Sequence, residues 1–459
     1  MRNYSLNPTE ENAYKLLREN PIQRNEYVFQ FVRLLTHMED NCYSVALNGD
    51  WGSGKTFFVK QVKLILDAHN PQFRMEDETR REIRTLYKAD EKPNSYATVY
   101  DAWTYDNHDD PILSLVYAAS QSGQKADLSD SPSHVLEAAA AVFDAFTGKN
   151  LTSLVKGLGK VEIKDRLSEI RDTEELKSKI HEFIDTLTAE KANRLVFFID
   201  ELDRCKPDYA IRFLERIKHY FDDERITFVF SVSLTQLQWT IRNYYGNGFD
   251  ATKYLDKFFD LRVSIPNADY ERFLRDRLEI GSDETAGIVC HEVVRQFNFS
   301  LRQAERYARL IKIAEPQFDW LRRSTSFDLD RAFTASYIIP IIIGLQMYDL
   351  DMYHRFVTGN DSTPMKKILM GIGILECTPF LAREESLIHN GEDIEIRDES
   401  GVNLVKVADR LEEIYQAIFG RKDVFGDRTK YIGMMRFTGK TRSYVEGITA
   451  MLFPGANYN

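Results

Sequence analysis

The chain has 459 residues, of which 43% are hydrophobic, 12% aromatic and 29% charged, so several domains and a large buried core are expected. Lys and Arg total 60 against 71 Asp and Glu, a formal net charge of -11. That balance excludes a general nucleic-acid coat or a polybasic membrane binder, while a local basic groove stays open, and with it nucleic acid as a partner.

Cys42, Cys205, Cys290 and Cys377 lie far apart with no CxxC pair, which argues against a disulfide framework or zinc ribbon and suits a reducing cytosol. The first residues show no basic segment followed by an apolar stretch, so no secretory signal is expected and the chain reads as cytoplasmic. The apolar run Ala332 to Met347 is shorter than the roughly 20 residues needed to span a bilayer. It carries Thr334, Ser336 and Pro340 and reads as a buried core element, not a transmembrane anchor.

Residues 1–40 read as a helical lead-in. Asn7, Pro8 and Glu10 supply an N-cap, a first-turn proline and a third-position acid, and a second helix is predicted over Gln23 to His37. An apolar strand, Tyr43 to Leu47, runs into a glycine-rich loop and a helix reaching His69. The charged stretch 71–95 reads as a solvated helix or flexible excursion. Ala97 to Asp101 is the next strand, with a helix from Pro111. Residues 121–164 turn to Ser, Gly, Ala and Lys and read as an insertion.

A polar helix, Thr173 to Thr188, precedes the most apolar strand, Leu195 to Ile199. Helices from Pro207 and Thr235 flank a strand over Ile226 to Val232, and Leu261 to Ile265 is one more strand. Strands alternating with helices, without tight hairpins, predict an α/β three-layer fold: a parallel β-sheet with helices on both faces. The core is placed at 41–268, a helical lid at 269–325 and a mainly helical C-terminal domain at 326–459, with an unassigned stretch near Ile394 to Val405.

Gly49-Asp50-Trp51-Gly52-Ser53-Gly54-Lys55-Thr56 fits G-x-x-x-x-G-K-[ST] in full, after a strand and before the apolar helix opened by Phe57. Such a loop curls its backbone N–H groups around phosphate oxygens, and the helix adds its positive end. Gly49 to Phe57 is therefore the candidate nucleotide-binding stretch. Lys55 is placed against the β- and γ-phosphates and the Thr56 hydroxyl on Mg²⁺. The strand Leu195 to Ile199 ends in Asp200 and Glu201. Asp200 is the second candidate Mg²⁺ residue, and Glu201 the group that activates the attacking water. Lys55 and Asp200 are expected at neighbouring strand tips, around one triphosphate–magnesium unit.

Three further residues are candidates. Ser233, at the tip of the strand over Ile226 to Val232, contacts the γ-phosphate or caps a helix. Lys257, beside Lys253 and Arg262, and Arg302, in the first turn of a helix opened by Ser300, are cations suited to the charge that develops on a transferred phosphoryl group. Arg204 is read as a salt-bridge partner, with Asp203 adjacent, or as a phosphate contact. His291-Glu292 lacks the second histidine of a zinc-protease motif, so no metal site is read there.

The ordered set formed by Pro21 to Tyr27, the Trp51-bearing loop, Tyr100-Asp101-Ala102-Trp103, Phe198 to Cys205 and Tyr254 to Phe258 resembles the KAP family of P-loop NTPases, distant relatives of the AAA+ ATPases. The resemblance covers roughly residues 15–315. It implies ATP or GTP hydrolysis, a nucleotide-driven switch, self-association, an effector protein partner and kinship with bacterial phage-exclusion systems. Many members insert membrane helices between the two phosphate motifs, whereas 121–164 here contains no spanning segment, and Ser233 stands where the family commonly has an acid. The sequence thus points to an ATPase switch with ATP and Mg²⁺ as ligands. The alternatives are a P-loop kinase or a nucleotide-bound scaffold that does not hydrolyse.

Overall fold

The computed structural model describes residues 7–38, 42–88, 94–108, 110–121, 134–147, 168–266, 273–274, 285–322, 329–372, 397–398, 401–402, 404–420, 429–432 and 435–452. The chain divides into two compact units at Ala268/Asp269. Residues 269–459 fall in one unit and residues 4–268 in the other.

The first unit is built on five strands: β1 (Tyr43–Asn48), β2 (Ser95–Asp101), β3 (Arg194–Asp200), β4 (Ile226–Val232) and β5 (Leu261–Ser264). They pair in parallel in the order β2-β3-β4-β1-β5. Alternate side chains of a strand leave opposite faces, and the apolar runs sort accordingly. Leu195, Phe197 and Ile199 enter one core, with Phe228 and Phe230 of β4. Val196 and Phe198 enter the other, with Val45, Leu47 and Val229. Strands buried on both faces need this near-continuous hydrophobic sequence.

One face is covered by α1 (Glu10–Glu19), α2 (Asn25–Thr36), α3 (Lys55–His69) and α4 (Asp77–Leu86). The other is covered by α5 (Pro111–Gln121), α6 (His134–Thr147), α7 (Ser168–Lys191), α8 (Pro207–Tyr220), α9 (Leu234–Tyr245) and α10 (Ala251–Leu255). The lead-in is therefore part of the sandwich: Ala13, Leu17, Val28 and Phe31 pack in the same core as Phe58, Val62 and Ile65 of α3. The first helix also starts later than the proline implies. Thr9, not Asn7, is its N-cap, and the Thr9 hydroxyl accepts from the Asn12 N–H at 3.2 Å.

Within the charged stretch after α3, the helix Asp77–Leu86 is docked, not loose. Arg80 donates to the carbonyls of Ala68 (3.0 Å) and Asn70 (2.9 Å), and Arg84 to Ala68 at 2.8 Å. These guanidinium groups satisfy carbonyls that the end of α3 leaves without helical partners, at its negative pole. Of the insertion at 121–164, the described residues form the end of α5 and α6, and the rest lies outside the described residues.

The second unit is mainly helical, with helices Thr285–Gln296, Leu301–Arg322, Ile339–Tyr348, Leu350–Val357, Thr363–Gly371, Leu404–Phe419 and Gly439–Leu452. Two short antiparallel pairs accompany them, Arg397–Asp398 with Gly401–Val402 and Lys430–Ile432 with Met435–Phe437. The first pair falls in the stretch that the sequence pattern leaves unassigned. The apolar run after Ala332 is a π-helical turn, Thr334–Ile338, leading into helix Ile339–Tyr348, with Ile338 to Ile343 all buried around Pro340. Gly344 lets that helix close on its neighbour: a Cβ there would lie 2.4 Å from Val293 Cγ1. Among the described residues, no helix is long and apolar enough to cross a membrane.

A candidate nucleotide site at the carboxyl edge of the sheet

Parallel pairing brings the carboxyl ends of the strands to one edge, where α/β sheets bind ligands. In register, Asp101 of β2 lies beside Asp200 of β3, Asp200 beside Ser231 of β4, and Val232 beside Asn48 of β1. Because β4 sits between β1 and β3, the two phosphate motifs occupy next-but-one strand tips, not neighbouring ones. Asn48 ties the intervening edge together: its side-chain oxygen accepts from the Leu234 N–H at 2.9 Å.

The loop after Asn48 turns on glycines. Gly52 and Gly54 have φ of 80° and 92°, a left-handed backbone that residues with a Cβ rarely adopt. Gly54 leads directly into α3, so the positive end of that helix opens at the loop. Lys55 is buried, and its Nζ donates to the carbonyls of Gly49 (2.6 Å) and Asp50 (3.2 Å). Burial pushes the Lys55 ammonium down, against the upward pull of the Asp203, Asp200 and Glu201 carboxylates.

The gap between the motifs is closed by Thr56, whose hydroxyl donates to Asp200 Oδ2 at 2.7 Å. Asp200 is 3% exposed, and burial raises its carboxyl above the usual range, opposed by the Thr56 hydroxyl and Lys55. A hydroxyl and a carboxylate converging this way are hard oxygen donors, a set that fits Mg²⁺ and suits no soft metal. Among the described residues, no group of three His, Cys, Asp or Glu could hold a metal ion.

Glu201 follows at φ 62° and ψ 20°, in the left-handed region, and its N–H donates to Asp200 Oδ1 at 3.2 Å. Burial, reinforced by Asp200, pushes the Glu201 carboxyl up to about 7. A base poised near neutrality suits proton abstraction from water. Asp203 and Arg204 do not pair with each other. Arg204 pairs with Glu201, while Asp203 Oδ2 accepts from the Trp51 indole N–H at 2.7 Å and from the Ser233 N–H at 2.9 Å.

Ser233 is buried at the N-cap of α9, yet its side chain makes no capping bond, and it is held in the site through its backbone. Lys257 is not in this site. It is exposed and precedes β5, whose first residue pairs with Val45, so it lies at the amino edge of the sheet. There the Asp260 N–H donates to the Ser44 carbonyl at 2.8 Å. A strand length, on the order of 15 Å, separates that edge from the phosphate loop. Lys253 and Arg262 share the position and pair locally with Asp250 and Asp256. Arg302 belongs to the second unit, exposed in the first turn of helix Leu301–Arg322 behind a Ser300–Gln303 cap.

Arg24 is a site residue that motif reading passes over. It is 4% exposed just before α2, and its Nη1 donates to the Ser53 carbonyl at 2.5 Å. Its only sequence signal is its place in the Pro21 to Tyr27 segment of the resemblance.

No curated protein matches this sequence. Among solved structures the chain is similar to the ORC2 protein of Aeropyrum pernix in its ADPNP–ADP complexes, at 12% identity and a TM-score of 0.32, covering 93% of this chain and 94% of that one. A likeness that weak supports no functional statement. The model of the KAP family P-loop domain, by contrast, matches residues 24–279, from the arginine that holds the loop to beyond β5, more than half of the chain, and the chain belongs to that family.

Proposed function

We propose that the chain hydrolyses ATP at the carboxyl edge of its sheet and uses the cycle as a conformational switch. The observation that carries this reading is the Thr56–Asp200 hydrogen bond at 2.7 Å, which joins the phosphate loop to the strand that ends in Glu201. Thr56 and Asp200 would hold Mg²⁺, which neutralises charge on the β- and γ-phosphates when bound. The loop N–H groups and the start of α3 bind the phosphates, and Lys55 exchanges its loop carbonyls for phosphate oxygens. Glu201 accepts a proton from water as the water oxygen bonds to the γ-phosphorus. The bond to the bridging oxygen breaks, and ADP and phosphate leave.

Lys257 is not assigned to the phosphates of its own chain, while Arg302 is read as the lid cation that senses the third phosphate. We read the exposed Lys257 as a cation for a neighbouring copy, which would make turnover per subunit rise with protein concentration. The switch role, its setting in bacterial defence and an effector partner rest on the family resemblance, and the cytoplasmic location on the dispersed cysteines.

The test is phosphate release from ATP and from GTP with no added acceptor, beside nucleotide binding. Lys55→Ala is expected to lose binding. Glu201→Gln is expected to bind nucleotide and to lose turnover by roughly 10² to 10⁴-fold, the range for removal of a general base. Release that requires an added acceptor would turn the reading to a kinase. Normal turnover in Glu201→Gln would remove Glu201 from the base role.

A further inference from the structure

Arg204 has no part in the reaction just described, yet its guanidinium is held by a carboxylate and two aromatic rings. It ends the short turn Leu202–Arg204, and its guanidinium pairs with the Glu201 carboxylate. The guanidinium carbon also lies 5.6 Å from the ring centroid of Trp51 and 5.8 Å from that of Trp103. Both distances fall within the roughly 6 Å at which a cation is drawn to an aromatic face. One wall of this cage, Trp51, is part of the phosphate loop, and the other, Trp103, follows the tip of β2.

The cage is anchored at both ends. The Trp51 indole N–H is fixed to Asp203, which also holds the Ser233 N–H at the tip of β4. Glu201 keeps a left-handed backbone that glutamate rarely adopts. The Glu201 oxygen that faces the guanidinium, Oε2, is not free to receive a proton from water while the pair holds. Arg204 thus bears directly on Glu201, and Trp51, which packs on Arg204, belongs to the glycine loop.

We propose that Arg204 is a positioning residue that latches Glu201 away from the attacking water, and that Trp51 and Trp103 hold the latch until phosphate binding reseats the loop. This rests on the reading of Glu201 as the base. On this view the chain is restrained before it is loaded, and its basal turnover is set by how often Arg204 lets go.

The experiment uses the full chain and compares ATP turnover with nucleotide affinity in Arg204→Met, Arg204→Lys and Trp103→Ala. Methionine keeps an unbranched stem between the two rings and removes the cation. The expected result is a several-fold rise in kcat for Arg204→Met with nucleotide affinity within about twofold of the parent. Arg204→Lys should fall back towards the parent, and Trp103→Ala should show a smaller rise. A merely structural arginine would instead lower turnover and affinity together, without rescue by lysine.

A kcat that falls or stays level in a folded Arg204→Met variant overturns the latch. If that variant does not fold, Trp103→Ala decides, and no rise there overturns it. Glu201→Gln separates the two readings. Loss of turnover in Glu201→Gln with no gain in Arg204→Met leaves the base in place and removes the latch. Unchanged turnover in Glu201→Gln removes both. Absence of turnover in the parent and in all three variants also removes both, whereas turnover that appears only on loss of Arg204 supports the latch.

Discussion

The two edges of the central sheet carry similar residues under different physics. At the carboxyl edge, Lys55, Asp200 and Asp203 are buried and Glu201 is partly so, and the two aspartates accept hydrogen bonds from Thr56, Trp51 and Ser233 in distant parts of the chain. At the amino edge, Lys253, Lys257 and Arg262 lie towards solvent beside acids a few residues away, such as Asp250 and Asp256. Burial removes the water that would screen these charges, and at the carboxyl edge it shifts the proton affinities of Lys55, Asp200 and Glu201. Sequence patterns name charged residues at both edges. Only burial and long-range partnership say which of them can do chemistry.

That contrast predicts a graded series of effects. Thr56→Val removes the hydroxyl partner of a buried carboxylate. It should cost about 1–3 kcal/mol of stability, read as a lowered denaturation midpoint, and should weaken nucleotide binding as well.

Asp67 supplies an intermediate case, a buried acid in the same unit away from the phosphate loop. It pairs with Lys63, yet burial pushes its carboxyl up to about 6. A carboxyl raised in the folded state favours folding at low pH, and that stability is lost as pH rises through about 6. Stability should therefore decline between about pH 4 and 6, and Asp67→Asn should flatten that decline in denaturation midpoints measured across the range.

Lys257→Ala is the smallest effect expected. It should change stability by less than about 0.5 kcal/mol, as exposed substitutions do, and leave nucleotide affinity unaltered in dilute protein. A large loss of affinity there would erase the distinction between the edges.

The sequence made the layered fold and the phosphate loop legible because both are local signals. Gly52 and Gly54 sit where the backbone needs positive φ, and the alternation of Leu195 to Ile199 between two cores is written in a continuous apolar run. Asp200 and Glu201 were legible as a carboxylate pair at a strand end. Their partners were not. The placement of β4 between β1 and β3 is a fact of sheet order that no strand carries in its own residues. Arg24 on the Ser53 carbonyl, Trp51 on Asp203 and Arg80 on the end of α3 are single side chains that meet partners outside their own element, with no periodicity to mark them. The misplaced start of α1 shows the reverse: Pro8 is compatible with a first turn, but Thr9 supplies the hydroxyl that caps it.

The arginine ahead of α2 has a practical consequence for anyone trimming this protein. A shortened version beginning at the first strand would look like a complete catalytic module on a motif diagram. It would lack the guanidinium that clasps the Ser53 carbonyl and would leave the greasy flank formed by Phe58, Val62 and Ile65 open to water. Such a fragment should clump before it could be assayed, so useful truncations have to begin upstream of Thr9, where the capping hydroxyl of the first helix is kept.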